Sequence, residues 1–373
     1  MLKDWGTPWV ACADTLEWLA HQRQSFAMPD IDRYRPEDRR GVEHLYRRTF
    51  GTQAADSVRL RWDWARRNPA NLTAEPPFLI VREGPTVIAA CPLMPVRVSL
   101  RGLETDSAWS GDPLVVAERQ RQGLGEALLR AWDRQSGVAL GAQLSEGTRF
   151  LLTKMRWAKP AMLPCVVKPL SRRALRRPTW PKVVNRLVSA VSLPFVRVVA
   201  RARPMREEVE IVRRFDRDMD RLWERVAPRL DLAVRRDAAY LNWKYAEAPH
   251  VRYSVALLRR DEEPHGYAVY RHLREPQGRV TQIVDFLVDP LDERGLKTLL
   301  RWVDREARAE DSDKIRCYVQ HAKFRKVLRR SGYFVVKSNV PMNAKVNAVQ
   351  VPEDFYDDPD GWHFTWGDGD LDH

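Results

Sequence analysis

The residues from Gln120 to Glu126 have the types and spacing of an anion-binding turn. They read Gln-Arg-Gln-Gly-Leu-Gly-Glu, after a strand-like run that ends at Val116 and before a helix whose apolar face includes Leu124 and Leu128. Glycines let the backbone approach a ligand closely, and the N–H groups and dipole of a helix start attract negative charge. The sequence therefore predicts a pyrophosphate site at this turn.

Other chemistries are disfavoured by the spacing of the residues that they need. The turn lacks the third glycine of a dinucleotide fingerprint, where Leu128 stands, and no Gly-Lys-Ser/Thr follows it. The eight His residues form no HxxxH or HExxH pattern, and the four Cys residues form no CxxC pair. No GxSxG elbow is present. We therefore expect no metal and no covalent nucleophile, and reduced thiols in a cytoplasmic protein.

The elements that position this turn occur twice along the chain, which indicates two related halves. Each half opens with a strand-like segment, at residues 31–38 and 209–216, and a helix follows it. An aromatic phrase comes next, at Trp62 in the first half and at Trp243 in the second. Hairpin strands, a long strand, a helix, a strand, a helix and a last strand follow. The pattern predicts an α+β fold, with two mixed, mostly antiparallel sheets flanked by helices.

Strands are expected at 78–81, 86–92 and 96–100 in the first half, and at 138–144 after the helix that follows the turn. A closing helix is expected over 149–157. The predicted organisation is an N-terminal extension at 1–30, a first domain at 31–167, a basic linker at 168–207, a second domain at 208–345 and an acidic tail at 346–373.

Charge is concentrated in the linker and the tail. The net charge is +13, but residues 168–206 hold eleven basic residues and no acid, and residues 353–373 hold eight acids and no Lys or Arg. The remaining body is nearly neutral, so extensive binding to nucleic acid is disfavoured.

The linker also carries apolar residues four apart, at Val183, Leu187, Val191 and Phe195. Such a face docks an acidic partner such as an acyl carrier protein, lies at the inner membrane surface, or covers the two domains while its arginines are solvated or paired with the tail. Its longest uncharged run, 187–196, has ten residues, too few to span a bilayer.

The run Gln120-Arg-Gln-Gly-Leu-Gly125 matches Gln/Arg-x-x-Gly-x-Gly/Ala, and with its strand-turn-helix context it resembles the GNAT N-acetyltransferase superfamily. The resemblance covers residues 31–165, and a degenerate copy covers about 209–345. Three phrases also resemble tandem members from polysaccharide or cell-surface gene clusters: Trp62–Pro69, Tyr240–Tyr245 and Trp362–Asp368.

This resemblance implies acetyl-CoA or a longer acyl-CoA as co-substrate. The pyrophosphate cradle would consist of Gln120 with the amides of Gln122, Gly123, Leu124, Gly125 and Glu126. The strand end at Val115 and Val116 would pair with the pantetheine arm, and its amide would polarise the thioester carbonyl. The second half has acids and a single glycine in the corresponding run, 289–297, so we expect no coenzyme there.

Acyl transfer to an amine needs a base, and the resemblance points to Asp112 or Glu146. The alternative roles are a turn residue for Asp112 and a helix-start residue for Glu146. The family's leaving-group acid is a Tyr at the position of Leu152, and no Tyr occurs between Tyr46 and Tyr240. Thr153, Ser145, water or Tyr240 would have to replace it, or the thiolate leaves unaided.

The expected activity is N-acyl transfer from acyl-CoA to an amine, such as an amino sugar or another cell-surface precursor, held between the halves. Two alternatives remain open. One is acyl or aminoacyl transfer from a carrier protein or an aminoacyl-tRNA, and the other is a non-catalytic binding or assembly module that keeps the fold.

Overall fold

A computed structural model of the chain describes residues 30–175 and 209–369. The N-terminal extension before residue 30, the predicted linker from residue 176 to residue 208, and residues 370–373 lie outside the described residues. The described ranges contain both predicted halves, so the arrangement of the two sheets can be given in full for them.

Seventeen strands occur in the described ranges. They are β1 Ile31–Arg33, β2 Phe78–Glu83, β3 Thr86–Leu100, β4 Leu103–Ser110, β5 Leu114–Val115, β6 Val138–Ala142, β7 Ala161–Met162, β8 Cys165–Pro169, β9 Val209–Val212, β10 Leu232–Val234, β11 Ser254–Arg260, β12 Glu263–Glu275, β13 Gly278–Val288, β14 Lys314–Tyr318, β15 Phe334–Val336, β16 Pro341–Val346 and β17 Trp362–His363.

Eight α-helices occur in the same ranges. They are α1 Arg39–Phe50, α2 Thr52–Arg66, α3 Leu124–Gln135, α4 Glu146–Lys154, α5 Asp218–Val226, α6 Ala238–Leu241, α7 Glu293–Ala309 and α8 Ala322–Arg330. None of these described helices combines the length and hydropathy needed to cross a bilayer. The mixed sheets with flanking helices confirm the predicted α+β class.

The strands form two sheets. The N-terminal sheet has the order β1-β2-β3-β4-β6-β16-β7, with β5 and β10 also paired to β3 and β17 paired to β10. The C-terminal sheet has the order β15-β8-β14-β13-β12-β11-β9. Most neighbours are antiparallel, and the pairs β4–β6 and β13–β14 are parallel at corresponding places in the two sheets.

The two halves exchange their last strands. In the N-terminal sheet, β16 pairs with β6 from Met342 opposite Ala142 to Val346 opposite Val138. In the C-terminal sheet, β8 pairs with β14 from Lys314 opposite Pro169 to Tyr318 opposite Cys165. The predicted ranges 31–167 and 208–345 therefore each contribute a strand to the sheet of the other, whereas the sequence predicted that each half closes on its own strand.

Several predicted element boundaries differ from those observed, and two of the differences have a clear local cause. The strands expected at 86–92 and 96–100 form one strand, β3. Its pairing with β2 ends at Pro92 and its pairing with β4 begins at Leu93, so the proline, whose nitrogen donates no hydrogen bond, lies where the partner changes and does not end the strand. The helix expected over 149–157 is α4, which begins earlier because the Ser145 hydroxyl accepts the Thr148 N–H at 3.2 Å.

The core is continuous between the halves at the two repeated aromatic phrases. The indole rings of Trp64 and Trp243 stack with centroids 4.4 Å apart and planes 8° apart. Each indole N–H donates to the other residue's carbonyl oxygen, at 2.7 Å from Trp64 and 2.8 Å from Trp243. This reciprocal contact is what a two-fold relation between two repeats would produce.

The predicted basic linker and the predicted acidic tail each place one charged residue in the core. Lys168, the first basic residue of the predicted linker, lies in β8 with its side chain 10% exposed and pairs with Asp304 at 3.1 Å. In the predicted acidic tail, Asp368 is buried and pairs with the buried Arg236 at 2.7 Å. Both residues have structural roles that their local composition did not indicate.

Candidate functional site

The predicted anion-binding turn lies between β5 and α3, at one end of the N-terminal sheet. Gly123 precedes α3 in the left-handed conformation with φ +85°, and Arg121 also has a positive φ of 63°. A side chain at Gly123 would meet no atom within 4 Å, so the turn faces open space. The first N–H groups of a helix have no partner inside it, and here a glycine precedes them in place of a capping side chain.

The polar side chains of the turn brace its backbone and are not aimed at one point. Gln120 Nε2 donates to the Val115 carbonyl oxygen, and Gln122 Nε2 donates to the Glu118 carbonyl oxygen, both at 3.2 Å. Glu126 accepts from Lys154 at 2.6 Å, and this bond, followed by that from Arg130, lowers its pKa. The carboxylate on the helix start is therefore neutralised by two cations.

Strands β5 and β6 separate beside the turn. Strand β4 pairs with β6 only from Ala108 to Ser110, and β5 then continues along β3 without pairing with β6. The Val116 N–H donates to the Ile88 carbonyl oxygen at 3.0 Å. Because hydrogen-bonded residues alternate in an antiparallel pair, Val115 directs its backbone groups away from β3, toward the gap.

This geometry changes the expectation for Val116. Its amide is used within the sheet, so of the two predicted strand-end amides it is the Val115 N–H that lies on the edge facing the gap. The sequence placed both residues at the strand end, but it did not indicate which of the two directs its backbone N–H away from β3.

The structure brings the two candidate bases to the same place. Asp112 lies in the connection between β4 and β5, and its carboxylate accepts the Ser145 N–H at 3.0 and 3.2 Å. Glu146 follows Ser145 as the first residue of α4, and its side chain is exposed. Both alternative roles are also visible, since Asp112 stabilises a turn and Glu146 starts a helix.

The position of the family's tyrosine is apolar. Leu152 is buried in the core between α3, α4 and the sheet. Among the suggested replacements, the Ser145 hydroxyl donates to the Thr148 hydroxyl at 3.1 Å, and the Thr153 hydroxyl donates to the Arg149 carbonyl oxygen at 3.0 Å. Tyr240 packs against Trp243 in the shared core, where burial raises its pKa well above the usual range.

An aromatic pocket of about 90 Å³ opens beside this site, on the face of β3 that α1 and α2 cover. Its walls are mostly aromatic and proline side chains, and Trp243 comes from the second half. The residues lining it are Tyr46, Val58, Arg61, Trp62, Trp64, Ala65, Asn68, Pro76, Pro77, Phe78, Pro92, Leu93, Met94 and Trp243. This pocket was not predicted from the sequence, although the two repeated Trp phrases, at Trp62 and Trp243, meet there.

The C-terminal sheet has a corresponding gap, and the protein fills it with its own chain. Strands β13 and β14 pair only between Val280 and Ile283 on one side and 314–317 on the other. Beyond them lies the C-terminal segment, residues 362–368. Its Gly367 N–H donates to the Val284 carbonyl oxygen at 2.8 Å, and its Phe364 carbonyl oxygen accepts the Gln320 N–H at 3.0 Å.

The helix after this second gap is capped by an acid. The Asp292 carboxylate accepts the Gly295 N–H at 2.8 Å and pairs with Arg260 at 2.7 Å. It therefore lies on the helix start where the N-terminal half has an uncapped glycine turn. A side chain at Gly295 would also come within 2.4 Å of this carboxylate.

No group of three or more potential metal ligands occurs within residues 30–175 and 209–369. The candidate site is thus made of backbone amides, a gap between strands, two carboxylates and an apolar pocket.

No protein-family model and no curated protein matches the chain. Solved structures do match. A GCN5-related N-acetyltransferase from Anabaena variabilis is 11% identical with a TM-score of 0.56, over 85% of this chain and 72% of that one. A probable N-acyltransferase from Enterococcus faecalis is 11% identical with a TM-score of 0.54, over the same shares. Saccharomyces cerevisiae N-myristoyltransferase with bound myristoyl-CoA is 12% identical with a TM-score of 0.50, over 86% and 79%.

These matches extend over most of the chain, so both halves contribute to them. The chain has the fold of the GNAT N-acetyltransferases, as its glycine turn predicted.

Proposed function

We propose that this protein is an acyl-CoA-dependent N-acyltransferase whose N-terminal half binds the donor. The observation that carries the proposal is the open glycine turn at Gly123, placed beside the gap between β5 and β6 in a chain with the GNAT fold. The acyl group is acetyl or longer, and the acceptor is an amine.

The donor would be held mainly by backbone groups. The N–H groups of Leu124, Gly125 and Glu126 bind the pyrophosphate, where the dipole of α3 adds to their attraction. The pantetheine arm lies in the gap as an added strand and pairs with the Val115 N–H. The Val115 N–H then polarises the thioester carbonyl and stabilises the charge that forms on its oxygen.

The acceptor would approach the gap beside the aromatic pocket, which receives side chains from both halves. Its ammonium must lose a proton before the nitrogen attacks the thioester carbon. Asp112 and Glu146 are the candidate bases because they lie at the same edge of the sheet, one residue apart through the Ser145 N–H. An amino sugar or another cell-surface precursor is the acceptor class that the resemblance suggests.

The leaving thiolate would depart without a tyrosine acid, because Leu152 occupies that position. A thiol with a pKa near 8.5 is a tolerable leaving group at neutral pH. A water molecule or the Ser145 hydroxyl would deliver its proton.

One observation favours a second candidate function. The buried Leu152 removes a hydroxyl that the family uses in catalysis, which is what a non-catalytic module that still binds acyl-CoA would tolerate. Transfer from an acidic carrier protein would use the arginines of the linker and leave the glycine turn unused, whereas attachment to the inner membrane surface through these arginines is compatible with a bound acyl-CoA. A cytoplasmic location fits all of these candidates.

Thermal unfolding with CoA, acetyl-CoA and longer acyl-CoA tests the donor. A ligand at a hundred times its Kd stabilises the wild type by about 2.7 kcal/mol. A side chain at Gly125 would make ordinary contacts, 3.7 Å from Leu151 Cδ1, so Gly125→Glu adds a charge at the cradle without a clash. Gly125→Ala is the matched control and keeps binding. No shift with any thioester in folded protein rejects the donor assignment.

Turnover with a panel of amines tests the chemistry. Release of CoA thiol by the wild type is expected, and Asp112→Asn or Glu146→Gln should lower kcat roughly 10²- to 10⁴-fold if that residue is the base. Asparagine keeps an oxygen for the Ser145 N–H, so the turn remains formed. Binding of acyl-CoA without turnover on any amine would favour the non-catalytic module.

A further inference from the structure

Apart from the Arg61 guanidinium in its wall, the aromatic pocket offers few hydrogen bonds to a ligand. Asn68 lines it, but its Nδ2 donates to the Pro95 carbonyl oxygen at 2.8 Å and its Oδ1 accepts the Ala70 N–H at 2.9 Å. The indole N–H groups of Trp64 and Trp243 are bonded to each other's carbonyl oxygens. A group with hydroxyls would lose its bonds to water here without replacement, so an apolar group fits better.

The volume of the pocket limits the size of that group. It measures about 90 Å³, compared with about 150 Å³ for a cavity that admits a benzene ring. A full aromatic ring therefore exceeds it, and a compact alkyl group of roughly four carbons fits.

The pocket is next to the place where acyl transfer would occur. The Pro92 carbonyl oxygen in its wall accepts the Gly111 N–H at 3.0 Å, and Asp112 is the next residue. Leu93, also in the wall, lies opposite Ser110 at the end of β4. A group in the pocket can therefore belong to a substrate that reacts beside Asp112.

We propose that the aromatic pocket binds a compact alkyl group of about four carbons, carried by one of the two substrates of the acyl transfer. This inference rests on the proposed function and names its substrate class. The alkyl group has two sources with the same chemistry, the acyl chain of the donor and the side chain of the amine.

The test is a pair of substrate series measured on the whole protein. One series runs from acetyl-CoA to octanoyl-CoA with a fixed amine, and the other runs from methylamine to octylamine with acetyl-CoA. The series whose group enters the pocket should rise about fourfold in kcat/KM for each added methylene, and then fall when the pocket is full.

Val58→Phe fills the pocket from its wall and should abolish that rise while leaving the smallest substrate of the series active. The matched control is Val349→Phe, because Val349 is 39% exposed and does not line the pocket. The control should keep the wild-type dependence on chain length.

The outcomes separate the two proposals. A rise in the donor series or in the amine series, lost in Val58→Phe, supports the inference and identifies the source. Turnover that is independent of chain length in both series overturns the inference and leaves the proposed function intact.

If no thioester binds, the proposed function fails, and the pocket is tested alone. Tryptophan fluorescence, titrated with isobutylamine and with butyrate, reports on Trp62, Trp64 and Trp243. Saturable quenching in the wild type that Val58→Phe removes supports alkyl binding, and identical titrations of both proteins overturn it.

Discussion

The two gaps between strands have opposite contents in the two halves. Beside β5 the gap has the Val115 N–H on its edge and an uncapped glycine turn at Gly123. Beside β13 the gap contains the C-terminal segment, and the following helix is capped by Asp292. The same fold therefore supports a ligand site in one half, while the other half satisfies the same backbone groups from within the chain.

The acids of the two gaps show the same contrast. Asp112 is partly exposed and bonded to one backbone N–H. Asp285, which the repeat aligns with it, is buried and accepts from Arg236, the Tyr267 hydroxyl and the Thr365 hydroxyl. A carboxylate that is fully bonded inside a core stabilises structure, whereas one with open lone pairs at an edge can accept a proton.

The C-terminal segment fills the gap between β13 and β14, which we call the filled gap. The largest effect is expected from removing the arginine that anchors this segment, Arg236. Arg236→Met leaves Asp285 and Asp368 buried without their partner, so we expect a loss of about 3–5 kcal/mol in the free energy of unfolding, measured with urea. Arg66→Met is the control, because Arg66 is 48% exposed and its loss should cost under about 0.5 kcal/mol.

Adding Asp285→Asn and Asp368→Asn to Arg236→Met should recover part of that loss, because no bare charge then remains buried. A loss below about 1 kcal/mol in Arg236→Met would mean that the C-terminal segment is not anchored by this cluster.

Acidification is expected to weaken the filled gap next. Burial lowers the pKa of His321 to about 4 and that of His363 well below its usual range. As pH falls from 7.5 to 5.5 the unfolded chain takes up these protons and the folded protein does not, so each His costs about 1.4 kcal/mol.

Asp368 acts in the opposite direction. Burial raises its pKa to about 6, so the folded protein takes up its proton first as pH falls, which offsets less than about 1 kcal/mol of that loss. The expected net loss is about 2 kcal/mol, measured by urea unfolding at both pH values. His363→Asn should reduce this dependence on pH by about two-thirds, and an unchanged dependence would contradict the assignment.

A smaller effect is expected at the helix start of the filled gap. Asp292→Ala removes the bond to the Gly295 N–H and should destabilise the protein by about 1 kcal/mol. It should not create acyl-CoA binding, because the C-terminal segment still occupies the gap. Stabilisation by acyl-CoA that persists in the double variant Asp292→Ala/Gly125→Glu would show that the second gap admits ligand after all.

The smallest effect is expected at the open turn. Glu126 pairs with Lys154 and Arg130 at the surface, so Glu126→Gln should change the unfolding free energy by less than about 0.5 kcal/mol. Removing a negative charge beside the cradle should tighten acyl-CoA binding a few-fold in low salt and not in 1 M salt. Equal tightening at both salt concentrations would contradict an electrostatic cause.

Features encoded by short stretches of sequence were predictable. The glycine turn before α3 and the acid on the second helix start follow from residues within about ten positions of each other, and both lie where expected. The GNAT fold was also identifiable from this turn and from the repeated order of elements.

Features that depend on distant partners were not predictable. Nothing in Cys165–Pro169 indicates that it pairs with β14 rather than within its own half, because either sheet would bury the same side. The aromatic pocket joins Trp62 and Met94 to Trp243, and no local pattern relates their positions. The sequence assigned 346–373 to an acidic tail outside the second domain, whereas Asp368 is held by an arginine more than a hundred residues away.

The strand exchange also constrains how the protein is made. When the ribosome has synthesised β6, the partner strand β16 is still about two hundred residues from being translated. At about 5–20 residues per second, that edge of the nascent sheet waits roughly 10–40 seconds for its partner. The half that carries the glycine turn is therefore completed only when nearly all of the other half has emerged, and a prematurely terminated chain would expose an unpaired edge that invites aggregation.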